Sequence, residues 1–290
     1  MSDELYYPPE SVSSKAHVGS MEQYREMYER SVNSPDEFWS EQAEQFSWFK
    51  QCDQIRSYNY DVTQGDIQIE WFKGGQCNIT SNCLDRHLET RGDQTAILWE
   101  GNEPGENKSL TYRQLHREVC KFANVLKSHG VKKGDRVSIY MPMVIELSIA
   151  MLACARIGAI HSIVFGGFSP TALADRIVDS ACTVVITTDG GFRGAKSIPI
   201  KANADEAMTI AEKQGVHVKT CVVAQRVGEK IPVVMNNGRD VWWHDEMVKA
   251  DPFCEPEVME SEDPLFILYT SGSTGKPKGV MHTTAGYMIY

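Results

Sequence analysis

Strand-like runs recur at residues 136–140, 159–165, 183–188, 220–224 and 265–269, and helix-length segments at 144–156, 170–179 and 199–214 fall between successive runs. The runs are rich in Val and Ile and alternate little with polar residues, the pattern of strands covered on both faces. Strands joined through helices pair in parallel, because a parallel pair needs a crossover rather than a tight turn. The sequence therefore predicts an α/β fold, a doubly wound and mostly parallel sheet with helices on both faces. Residues 226–263 break the rhythm with an Asn236-Asn237-Gly238 turn and a proline-punctuated acidic run, and read as an excursion that places Trp242 and Trp243 on a short helix. A sheet that stopped just after the fifth run would leave an unfinished apolar edge.

Ahead of this alternation, residues 1–18 carry Pro8, Pro9 and a Ser cluster without apolar periodicity and read as an extended tail. Ser20 with Gln23, and Ser34 with Pro35 and Glu37, then mark the starts of two helices through capping boxes. Residues 67–73 alternate as a strand, and Thr111 with Gln114 opens a further helix that Gly130 should end.

A formal charge of −10 with 23% charged residues argues against a general nucleic-acid or anionic-membrane partner. The longest uncharged stretch, 157–174, holds three glycines, a proline and four polar side chains and makes a poor membrane span. The N-terminus has neither a secretory nor a transit pattern, so a cytoplasmic location is expected. Eight cysteines without a Cys-x-x-Cys pair read as reduced, structural thiols.

The last apolar run, 265–268, reads as a strand buried on both faces. Directly after it comes Tyr269-Thr270-Ser271-Gly272-Ser273-Thr274-Gly275-Lys276-Pro277-Lys278-Gly279. Gly272, Gly275 and Gly279 permit close backbone approach, so that successive N–H groups can converge on one anion. Thr270, Ser271, Ser273 and Thr274 add hydroxyls, and Lys276 and Lys278 add charge. The stretch is not a P-loop, since its glycines are too close together and Pro277 stands where Mg²⁺ would need Ser or Thr. Pro277 also biases Lys276 toward extended geometry, so the loop should not run straight into a helix.

Two further glycine corners follow strand-like runs. Phe165-Gly166-Gly167-Phe168-Ser169-Pro170 ends one run, with Ser169 placed as an N-cap; it fits either a ligand site or a plain turn. Asp189-Gly190-Gly191-Phe192-Arg193-Gly194-Ala195-Lys196 ends the next, and Arg193 with Lys196 could clamp a phosphate or form a solvated basic turn.

The stretch from Tyr269 to Gly279 resembles the signature loop of the adenylate-forming superfamily. From about Tyr24 onward the chain is similar to the AMP-forming acetyl-CoA synthetases, in Ile69-Glu70-Trp71-Phe72-Lys73-Gly74-Gly75, Asn82-Cys83-Leu84-Asp85-Arg86-His87, Trp99-Glu100-Gly101-Asn102-Glu103-Pro104-Gly105 and Ala155-Arg156-Ile157-Gly158-Ala159-Ile160-His161. The resemblance covers almost all of the chain but only the first part of the family's length. It implies residues 1–85 as the N-terminal extension of such enzymes and 86–290 as an incomplete AMP-binding domain, with the C-terminal lid domain absent.

It also implies a two-step reaction of acetate, Mg·ATP and coenzyme A through acetyl adenylate. Thr270, Ser271, Gly272, Ser273, Thr274, Gly275 and Lys276 would hold the ATP phosphates, and Phe165, Gly166, Arg193, Gly194, Ala195 and Lys196 the 3′-phosphoadenosine end of CoA. Neither a catalytic residue nor a Mg²⁺ ligand is expected within this stretch, so the chain alone should be inactive. Propionyl-CoA synthetase and a non-catalytic CoA- or partner-binding fragment are the alternatives. The expected partners are the small-molecule substrates, not nucleic acid or membrane, with the nucleus as a second compartment; no oligomeric state follows.

Overall fold

The computed structural model describes residues 6–271 and 277–289, in two compact units, Met1–Phe46 and Ser47–Tyr290. The first unit contains α1 (Glu10–Ser13), α2 (Met21–Asn33) and α3 (Pro35–Ala43). Thus the stretch expected to be an extended tail contains one helical turn, with Pro9 before it and Glu10 in a favourable first-turn position. The Ser20 hydroxyl caps α2 by accepting from Gln23 N at 3.1 Å, while the Gln23 side chain accepts from Gly19 N at 2.7 Å rather than from Ser20. Ser34 makes no side-chain cap; α3 starts on Pro35, whose ring presets the helical φ.

The second unit opens with the antiparallel pair β1 (Gln54–Asn59) and β2 (Gln68–Lys73), followed by β3 (Gln76–Cys77), α4 (Ile79–Cys83) and α5 (Leu88–Arg91). A second antiparallel pair, β4 (Thr95–Glu100) and β5 (Asn107–Thr111), leads into α6 (Tyr112–Ser128). Here the expected capping box is complete, with Thr111 and Gln114 each bonding the other's backbone N–H.

The alternation then runs β6 (Arg136–Met141), α7 (Ile145–Arg156), β7 (Ile160–Phe165), α8 (Pro170–Ser180) and β8 (Val184–Thr188). After it come a small hairpin of β9 (Gly191–Arg193) and β10 (Lys196–Ile198), then α9 (Ile200–Lys213) and β11 (Thr220–Ala224). The chain continues through β12 (Asp240–Trp242), α10 (Trp243–Lys249), β13 (Met259–Glu260), β14 (Pro264–Thr270), β15 (Lys278–Thr283) and α11 (Thr284–Ile289).

The main sheet has seven strands in the order β12-β11-β8-β6-β7-β14-β15. Every adjacent pair is parallel except β14 with β15. Successive residues of β6 point to opposite faces: Val137, Ile139 and Met141 join α6 and α7 in one apolar cluster, and Tyr140 joins α8 and α9 in the other. Helices therefore cover both faces, as the sequence predicts.

Three further expectations change. The 226–263 excursion returns to the sheet as β12, and Trp242 ends that strand while Trp243 starts α10. There Trp243 stacks on Phe122 of α6 at 3.7 Å between ring centroids. The sheet does not stop at its fifth run, because β15 adds an antiparallel strand whose residues from Lys278 to Met281 are exposed. The strand leading to the glycine-rich stretch is buried at Leu265 and Phe266 but 42% exposed by Leu268, so it is not covered on both faces throughout.

Candidate functional site

After β7 the chain crosses over β6 to form β8, so the sheet order reverses at β6, and the carboxyl ends of β7 and β8 flank that reversal. In an open parallel sheet this crevice is where ligands collect, since helices connecting in opposite directions leave it uncovered. Both glycine corners lie there.

At the end of β7, Phe168 N donates to Phe165 O at 2.9 Å and closes a turn. Gly166 is buried against the end of β6, where an added Cβ would stand 3.0 Å from the Met141 carbonyl and 3.1 Å from Pro142 N. Phe165 is 65% exposed at the rim and meets Phe168 edge to face at 5.7 Å. The Tyr140 hydroxyl donates to Phe168 O at 2.7 Å, and Ser169 caps α8 by accepting from Ala172 N at 3.2 Å.

At the end of β8 the corner is the β9–β10 hairpin, in which Arg193 and Lys196 are register partners. Gly194 turns the chain at φ +58°, a value that side chains resist. Arg193, Gly194, Ala195 and Lys196 are all exposed, so the two cations belong to a short solvent-facing tip. The tip is tied down by Asn102 Nδ2, which donates to Gly194 O at 3.2 Å.

Sequence reasoning missed the residues that hold this corner. Asp189 is 1% exposed, and its carboxylate accepts from the backbone N–H groups of Gly190, Arg226, Val227 and Gly228 at 2.7 to 3.2 Å. It thereby fastens the end of β8 to the end of β11. The Arg226 guanidinium carbon lies over two rings, 5.2 Å from the Trp99 centroid and 4.9 Å from that of Phe192. It also makes a fork with Glu106 at 2.5 and 3.0 Å, and these hydrogen bonds hold the Glu106 carboxyl at a pKa of about 2. An Asp before two glycines and an Arg after a strand were visible in the sequence, but their convergence depends on the pairing of β8 with β11.

These elements border a cavity of about 350 Å³. Its apolar wall includes Pro142, Val144, Ile198 and Ile200, and its polar contributors include Asn102, Arg193 and Arg226. Phe165 and Gly166 lie along it together with Arg193, so residues from both corners share one concavity. Lys196, across the hairpin, is not part of its wall.

The third predicted region follows β14, which is parallel to β7 and hydrogen-bonded to it. Its carboxyl end is therefore on the same sheet edge as the two corners, three strand spacings from β8, or on the order of 14 Å. Thr270 ends β14 and Ser271 follows it, both exposed. Gly272, Ser273, Thr274, Gly275 and Lys276 lie outside the described residues. The chain resumes at Pro277 and enters a strand, not a helix, as the proline predicts. Gly279 is in extended β15, directly opposite Tyr269. An added Cβ there would meet Ile267 Cγ2 most closely, at 3.1 Å, so the glycine eases packing against β14 rather than bending the backbone.

Among the described residues no three His, Cys, Asp or Glu side chains converge as metal ligands, and no helix is long and apolar enough to cross a membrane. The cysteines are free, and burial pushes the thiols of Cys77 and Cys221 up to about 12, which makes them inert.

A family model described as AMP-binding enzyme matches residues 84–290, and one described as acetyl-coenzyme A synthetase N-terminus matches residues 24–83. Acetyl-coenzyme A synthetase of Desulfatibacillum aliphaticivorans is 56% identical over 290 residues, covering 100% of this chain and 43% of the relative. The enzyme of the same name from Halorhodospira halophila is 56% identical over 291 residues, again with 100% and 43% covered. The chain thus spans less than half the length of these curated relatives. Among solved structures, acetoacetyl-CoA synthetase from Streptomyces lividans superposes with a TM-score of 0.81 at 24% identity, over 97% of this chain and 41% of that one, a likeness of fold.

Proposed function

The chain belongs to the AMP-binding enzyme family, and from that membership we propose that the protein carrying it is an AMP-forming acetate–CoA ligase. The observation that carries the reading is that two glycine corners and the end of the strand leading to the family's signature stretch share the carboxyl edge of one parallel sheet. Relatives named acetyl-coenzyme A synthetase, similar along the whole chain, support acetate as the acid. Residues 1–85 then form the N-terminal extension and 86–290 the first part of the AMP-binding domain, working in the cytoplasm.

In the first step an acetate oxygen attacks the α-phosphorus of Mg·ATP, and pyrophosphate leaves with the electron pair of the broken P–O bond. In the second the CoA sulfur attacks the acetyl carbonyl, its proton is lost, and AMP leaves. Thr270 to Lys276 would hold the β- and γ-phosphates, where hydroxyls, backbone N–H groups and Lys276 neutralise charge on the leaving pyrophosphate. Mg²⁺ enters with the nucleotide as substrate. Phe165 and Gly166 would border the CoA path, and Arg193, Gly194, Ala195 and Lys196 would receive its 3′-phosphate. A solvent-facing pair of cations on a hairpin turn suits a mobile dianion at the rim of a cleft.

Acetate-dependent exchange of labelled pyrophosphate into ATP, measured on the full-length protein with propionate as competitor, tests the reading. Preference for acetate supports it, preference for propionate selects the propionyl-CoA synthetase alternative, and exchange with neither acid rejects both.

A further inference from the structure

Helix α8 has one end at each of the two regions assigned to different half-reactions. Its N-cap follows the Phe165–Phe168 turn. In its last turn Asp179 accepts a hydrogen bond from the Tyr269 hydroxyl at 2.8 Å, at the end of β14 that leads into the glycine-rich stretch. Between them, Arg176 is 7% exposed.

The Arg176 guanidinium carbon is 4.9 Å from the Phe168 ring centroid and 5.1 Å from that of Tyr269. One cation thus touches an aromatic face from each region, and an N–H donates to Ala172 O at 2.5 Å, which fixes the side chain along its own helix. Burial lowers the pKa of the group, yet a guanidinium stays charged at any working pH. An apolar residue would fill the same space without the desolvation cost, so filling space does not account for a buried arginine here. Tyr269 is also anchored by its strand, where it is the register partner of Gly279 in β15. A cavity of about 170 Å³ bounded by Arg176, Asp179, Tyr269 and Pro277 lies beside the cluster, so Tyr269 is not densely packed all round and its contacts with Arg176 and Asp179 count for more.

We propose that Arg176 is a positioning residue that couples the CoA corner to the stem of the phosphate-binding stretch, by holding Phe168 and Tyr269 against one cation. Displacing either ring costs the cation a partner, so the two regions share one preferred arrangement. The inference rests on the two-step reading above and adds to it a link between the half-reactions.

The test uses the full-length protein with Arg176→Met, which keeps length and removes charge, and Arg176→Lys, which restores a cation. A buried cation–π contact of ordinary strength predicts that Arg176→Met slows acetate-dependent exchange about ten-fold and raises the KM for CoA by about the same factor. The KM for acetate should not change, and Arg176→Lys should recover most of both losses. No effect, an effect on one half-reaction alone, or equal losses in both variants that track a lowered Tm would overturn the coupling role. A wild-type protein without acetate-dependent exchange would instead overturn the two-step reading and this inference with it.

Discussion

Arg193 and Lys196 face each other across a hairpin tip that Asn102 fastens to the β4–β5 turn. If they receive the CoA 3′-phosphate, replacing either by Ala removes a charge-assisted contact worth roughly 1.5 to 3 kcal/mol, or about 10- to 150-fold in affinity. The KM for CoA should rise by that order while acetate-dependent exchange stays near wild type; equal loss in both assays rejects the assignment. Asp189 makes a different prediction. Its carboxylate serves four backbone N–H groups out of water, and Asp189→Ala would strand them, for a loss of at least about 3 kcal/mol in urea unfolding. If the signature stretch holds the ATP phosphates, Gly272→Val obstructs backbone approach to them, whereas Lys276→Ala removes one flexible donor among many. Exchange should therefore suffer more from the first. The reverse order would make the stretch a structural turn.

Helix α6 is the best specified element, with a complete capping box and a buried face of Leu115, Val119, Cys120, Phe122, Ala123, Val125 and Leu126. Phe122→Ala also removes the stack on Trp243 and should cost about 3 to 5 kcal/mol. On the same helix, hydrogen bonds to Asp85 at 3.3 Å and then to Cys120 raise the pKa of His116 from 6.5 to about 9. A pKa raised by folding stabilises fully below about pH 6.5, and that stability is lost as pH climbs through about 9. The Tm advantage of wild type over His116→Gln should shrink across this window; a gap that stays constant would mean a neutral imidazole.

The strands and helices of the alternation were legible because each is a local pattern, an apolar run or a capped amphipathic stretch. β12 was not, since its three residues are all half-buried and its strand character comes from β11 beside it. The same limit applies to the site. The glycine corners and the Arg193/Lys196 pair announce themselves in sequence, whereas Asp189, Arg226 and Arg176 act through partners from 8 to more than 100 residues away.

Across the whole molecule, the two glycine corners and the end of β14 share one sheet edge, but the chain spans 43% of the length of its relatives. By the family resemblance, the adenine-binding segments, acyl pocket and adenylation lysine belong to the remainder. The 290-residue chain alone should therefore show no acetate-dependent exchange above a blank, and exchange above it would mean those segments are dispensable. The strand order has a further consequence, for assembly during synthesis. β6 is the first of the seven strands to emerge and stands at the centre, so the sheet can grow outward from the β6–β7 pair while translation continues. β14 must wait, because its partner residues in β7 lie about a hundred positions earlier and closing so long a loop is slow. The stem of the signature stretch is thus among the last parts to be seated, and in pulse-labelled refolding its amides should become protected from deuterium later than those of β6, leaving this side of the sheet as the latest to mature.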